Sequence, residues 1–177
     1  LMKRQPAISA YTPSNTDREV LKRIFVQRER LLDKIVERLA RSMSTDDKYH
    51  VLLIGPRGSG KTHLITLVEY ALSHRQELSD TMRVAWLGED DTFTGLIDIA
   101  LGIADQLAAE YPDEFATDYR ASVRGLNADD AAESILKSIV ERLGNRNILL
   151  IMENLDGVFD GLGDMGRKKW RAFLQEY

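Results

Sequence analysis

Lys61 and Thr62 close the run Gly55-Pro56-Arg57-Gly58-Ser59-Gly60-Lys61-Thr62, whose spacing fits G-x-x-x-x-G-K-[ST]. Residue types in that order have one chemical use in common, the holding of phosphates. Glycines at 55, 58 and 60 let the backbone turn successive N–H groups inward around phosphate oxygens. Lys61 then supplies a point charge for the β- and γ-phosphates, and Thr62 a hydroxyl for Mg²⁺. His63 follows them into a helix whose N-terminal end is itself attractive to anions. The expected ligand is a nucleoside triphosphate.

A metal held on one side by Thr62 needs a carboxylate on another, commonly at the end of an apolar strand. Ile148-Leu149-Leu150-Ile151-Met152 runs into Glu153, which is the candidate for the Mg²⁺ side, directly or through a water. Asn154 stands where a water-activating Glu would often follow. An amide orients a water but accepts no proton at neutral pH, so slow hydrolysis is expected. Asp156 is the nearest alternative base, with capping of a helix or turn as its other use.

These residues need elements to carry them. Residues 49–54, apolar and β-branched, read as the strand entering the loop; Leu64, Ile65, Val68, Ala71 and Leu72 recur at helical spacing after it. Upstream, residues 1–15 read as an extended arm, and Thr16 with Glu19 has capping-box spacing for a helix to about residue 24. A helix with Leu31, Leu32, Ile35, Val36 and Leu39 on one face follows. Downstream, 83–88 reads as a second strand ending in the acidic run 89–91, and 94–110 as a strongly apolar helix stopped before Pro112. Residues 113–126 are ambiguous, with a short helix around Tyr119. Asn127 offers an N-cap and Gly144 a stop for the helix between them, and 147–152 is a third strand. Glycines at 157, 161, 163 and 166 suggest a loop, and Trp170, Phe173, Leu174 and Tyr177 a final helix whose wet face carries Arg167, Lys168, Lys169 and Arg171. Strands alternating with helices predict an α/β fold, a three-layer sandwich around a parallel sheet.

The composition narrows the function. A chain of 177 residues, 44% of them hydrophobic, can bury one sizeable core. Its net charge of -4 gives no field for non-specific nucleic-acid binding, and the absence of cysteine excludes thiolate nucleophiles, disulfides and cysteine metal sites. No apolar run approaches the roughly 20 residues of a spanning helix. A cytoplasmic location without membrane contact is the default expectation.

Taken together, Phe25-Val26-Gln27-Arg28-Glu29 before a helix, the phosphate loop, and Leu149-Leu150-Ile151-Met152-Glu153-Asn154-Leu155-Asp156 resemble the AAA+/STAND-type P-loop ATPases. The likeness is greatest to the origin-recognition branch. In that family the opening segment lies against adenine, which implies that Ile24, Phe25, Val26 and Arg28 sit near the base; Gln27 stands where the family has Gly. The family's Asp-Glu pair is Glu153-Asn154 here. The resemblance implies ATP and Mg²⁺ as ligands, ATPase activity, a possible homo-oligomer, and protein or DNA partners met through regions outside this chain. The function expected is a nucleotide-dependent switch in a longer regulatory or DNA-associated protein. A P-loop small-molecule kinase and a nucleotide-binding scaffold without turnover stay open as alternatives. In the family a later strand lies between those at 49–54 and 147–152, so residues 16–177 are expected to be an ATPase domain truncated on its C-terminal side.

Overall fold

The computed structural model describes residues 28–45, 49–88 and 93–176. The expectations for the arm at 1–15, the helix at 16–24, Phe25 and Val26 against a base, the acidic run 89–91 and Tyr177 lie outside them. The chain divides into two compact units between Asp80 and Thr81.

The first unit holds α1 (Glu29–Met43), α2 (Lys61–Ser73) and the short α3 (Gln76–Ser79). In α1, Ile35, Val36, Leu39 and Ala40 are buried, while Asp33, Lys34, Glu37 and Arg38 are exposed. That apolar stripe packs against α2. Leu64, Leu67, Val68 and Leu72 of α2 are almost wholly enclosed, each burial contributing about 1.5–3 kcal/mol against an exposed side chain. Thr66 is buried with them, its hydroxyl donating to the Thr62 carbonyl at 2.7 Å. A polar group therefore sits in that core with its hydrogen bond made.

The strand expected at 49–54 is not formed. Residues 49–56 carry no regular structure, and Leu52 and Ile54 are 64% and 88% exposed. A β-branched run fits a pleated surface but becomes a strand only when a neighbour accepts its hydrogen bonds. Among the described residues the sheet is two-stranded, and residues 49–54 are not one of its strands.

The second unit contains the sheet. β1 (Met82–Leu87) and β2 (Asn147–Met152) run parallel in register from Met82 opposite Asn147 to Leu87 opposite Met152. Backbone bonds extend the pairing at both ends, Asn147 N–H to Thr81 at 2.7 Å and Glu153 N–H to Leu87 at 3.0 Å. Parallel strands need a long crossover. Here it runs through α4 (Leu96–Glu110), α5 (Pro112–Phe115), α6 (Tyr119–Ser122) and α7 (Ala128–Leu143). Ile99, Ala100, Ile103, Ala104 and Leu107 of α4 face the core, against Ile135 and Ile139 of α7 and against β1. Asn127 caps α7, its side chain accepting from the Asp130 N–H at 3.0 Å, and Gly144 ends it.

Residues 113–126 were ambiguous in sequence because tertiary ion pairs fix them. Arg83, nearly buried on β1, donates to both Glu114 oxygens at 2.9 and 2.7 Å and lies over the Tyr111 ring. Arg146 approaches the same carboxylate at 3.4 Å, and Arg142 donates to the Glu114 carbonyl. The Arg83 hydrogen bond, with help from the charges of Arg83 and Arg146, holds Glu114 below the ordinary glutamate range although burial opposes it.

The glycine-rich stretch after β2 is also helical. α8 runs from Leu155 to Glu176, interrupted only at Gly163 (φ 59°, ψ -176°). Its glycines serve packing as well as turning: a Cβ on Gly161 would collide with the Phe93 carbonyl oxygen. The final face is as expected, with Trp170 buried and stacked on Phe173 at 5.4 Å. Of the basic residues opposite, Lys169 bridges Glu133 and Asp129 of α7 at 2.8 and 3.4 Å, and Arg167 bonds within its own helix to Gly163 and Asp164.

Candidate nucleotide-binding site

The phosphate loop lies in the first unit, between the irregular segment and α2. Gly58 and Gly60 take φ of 78° and 79°, in the left-handed region where a side chain is strained, so glycine is required by the backbone at both positions. At Gly55 a Cβ would come to 2.9 Å from the Ser59 hydroxyl. Gly60 is the N-cap of α2, so the first-turn amides of that helix open onto the loop. Lys61 curls back over the loop it follows, Nζ donating to the carbonyls of Gly55 at 2.9 Å and Pro56 at 3.1 Å. Its charge is therefore already positioned beside the cradle, and the lysine, the glycines and the helix end suit a polyphosphate. Thr62 and His63 sit half-buried in the first turn of α2, and Arg57 is exposed at the tip of the loop.

Arg28 joins this group. Its guanidinium donates to the Ser59 carbonyl at 2.7 Å, which ties the start of α1 to the loop across 31 residues of sequence. A hollow of about 280 Å³ opens there, lined among others by Arg28, Leu31, Ile54, Pro56, Ser59 and Lys61. The resemblance implied that Arg28 lies near a base; the observed contact is to the loop backbone.

The acidic end of β2 belongs to the second unit. Glu153 continues the ladder one residue past β2 through its N–H, so its backbone position is set by β1. Its Oε1 accepts a hydrogen bond from the Trp86 indole N–H at 2.9 Å. Sequence reasoning did not single out Trp86; the signal available was an indole near a strand end, whose N–H needs an acceptor when part-buried. Asn154 takes φ of 50° and is exposed, and its carbonyl accepts the first helical bond of α8 from Val158 at 3.3 Å. Asn is among the few side chains that adopt this conformation readily. Asp156 is exposed in the first turn of α8, where a carboxylate is favoured by the helix end.

No helix among the described residues is long and apolar enough to cross a membrane. No curated protein and no solved structure matches the chain. The AAA ATPase domain family matches residues 24–175, a span that takes in Arg28, the phosphate loop, Glu153 and nearly all of α8. With a parallel α/β sheet and a phosphate loop of this geometry, the chain belongs to the AAA ATPase domain family.

Proposed function

We propose that the chain is an ATP-binding, slowly hydrolysing nucleotide switch. The observation that carries the reading is the loop itself: left-handed glycines at 58 and 60 and Lys61 folded over Gly55 and Pro56 beside an open helix end. Lys61 and the loop amides hold the phosphates, with Gly55, Pro56, Arg57, Gly58, Ser59, Gly60 and His63 around them; the family resemblance assigns Phe25, Val26 and Arg28 to the base. Thr62 and Glu153 are the candidate oxygen donors for Mg²⁺, which would supply positive charge to offset that of the phosphates. Asn154 orients a water without taking its proton, and Asp156 is the alternative base, so turnover is slow. Support for the STAND-type or origin-recognition-like branch is the Phe25-Val26-Gln27-Arg28-Glu29 opening. On this reading the nucleotide state is read by protein or DNA partners or by further copies of the chain, in the cytoplasm.

Lys61→Ala tests the reading. Loss of a charge-assisted contact costs about 1.5–3 kcal/mol, so calorimetry should show ATP binding weakened by about 10–100-fold, with phosphate release falling in step. Equal affinity and equal turnover in the variant would rule out this loop as the nucleotide site.

A further inference from the structure

Arg28 meets the phosphate loop at a single peptide. Its guanidinium donates to the Ser59 carbonyl at 2.7 Å, and the same nitrogen lies 4.0 Å from where a Cβ on Gly60 would stand. The main chain of Arg28 is fixed as well, because its carbonyl accepts from the N–H groups of Leu31 and Leu32, each at 3.0 Å, in the first turn of α1. The start of a helix is thereby tied to the peptide that joins Ser59 to Gly60.

The groups on either side of that peptide are already bonded. Ser59 donates its N–H to the Pro56 carbonyl at 3.2 Å, and the Gly60 carbonyl accepts from Leu64 at 3.0 Å. Between those bonds lies a planar trans peptide, in which C=O and N–H point in opposite directions. Whatever holds the Ser59 carbonyl therefore aims the Gly60 N–H. Gly60 sits at φ 79°, and glycine adopts either sign of φ about as readily, so its own sterics do not stop the peptide from turning over. The flanking bonds do not stop it either, because the turn rotates Ser59 ψ and Gly60 φ and leaves the Ser59 N–H and the Gly60 carbonyl in place. The bond from Arg28 is what distinguishes the two orientations. Among the described residues the Gly60 N–H has no partner, and it is one of the amides that the proposed function gives to the phosphates.

We infer that Arg28 is a positioning residue for the phosphate loop, locking the peptide between Ser59 and Gly60 so that the Gly60 N–H keeps its place in the cradle. The inference rests on the proposed nucleotide site in this loop. A guanidinium suits the task, because a hydrogen bond from a charged donor is roughly twice as strong as one between neutral groups. Without the lock the loop divides between two orientations, and affinity falls by the fraction that remains competent.

The test uses tripolyphosphate, which carries the anion of ATP without a base. Arg28→Ala should bind tripolyphosphate and ATP about 10-fold more weakly than the wild type, by the same factor for both, as for a competent orientation about one-tenth populated. A loss confined to ATP overturns the lock and assigns Arg28 to the base instead. Lys61→Ala is run alongside. Weakened binding in Lys61→Ala with none in Arg28→Ala overturns the lock and leaves the phosphate site standing. No change in either variant overturns the site, and the lock with it. A second measurement reads the peptide itself and separates a lock from simple attraction between Arg28 and the anion. In the ligand-free protein the ¹⁵N amide resonance of Gly60 should be sharp in the wild type and broadened by exchange in Arg28→Ala. A Gly60 resonance already broadened in the wild type, or equally sharp in both proteins, overturns the proposal.

Discussion

Asn154 brings two demands onto one residue. On the proposed function its place after Glu153 is where a carboxylate would speed hydrolysis, yet its φ of 50° is one that most side chains adopt only at a cost of about 1–2 kcal/mol. Asn154→Glu should therefore raise phosphate release and lower stability by about 1 kcal/mol together, as read by a turnover assay and a denaturant titration. A variant that is intact but no faster would remove the explanation for slow turnover. Glu114 is legible only in three dimensions, since its partners come from residues 83, 142 and 146. Because its folded titration point is lowered, the stability it contributes is fully present above the unfolded value, about pH 4.3, and is lost as pH falls through the lower folded value. Glu114→Gln should accordingly unfold more easily than wild type at pH 7, and the gap in denaturant midpoint should narrow as the pH is taken below 4.

At the scale of elements, helical periodicity was the reliable guide. The stripe of Ile35, Val36 and Leu39, the apolar α4 and the capped α7 all lie as the spacing implied, because each buries its own face and needs little from distant sequence. The phosphate loop was legible for a similar reason, as its geometry is local. Two elements were not. Residues 49–54 have strand composition but no strand partner among the described residues, and pairing cannot be read from one segment. The glycines of α8 signal a loop in sequence, yet Gly161 sits where the helix meets the Phe93 carbonyl, a requirement visible only once both are placed. Gly161→Ala should test this: despite alanine's higher helix propensity, the clash should destabilise the protein by about 1–3 kcal/mol in thermal or denaturant unfolding. An unchanged or raised midpoint would show that the approach relaxes freely.

For the whole molecule, the described residues leave backbone and apolar surface uncovered. A two-stranded sheet has an open side on each strand, and Leu31, Val51, Leu52 and Ile54 are exposed beside the phosphate loop. Leu52→Ser with Ile54→Ser should lower the binding of a hydrophobic dye, and should change stability by less than about 0.5 kcal/mol because little burial is lost. Unchanged dye binding would place the responsible surface elsewhere. The ladder between β1 and β2 has a kinetic side as well. Its last bond is the Glu153 amide, on the same residue whose carboxylate we assign to the metal. An excursion that frays this end of the sheet would surrender the amide to exchange with solvent and loosen the carboxylate's anchorage in one step. The lifetime of the closed strand end would then set how long the Glu153 carboxylate stays held at the end of β2.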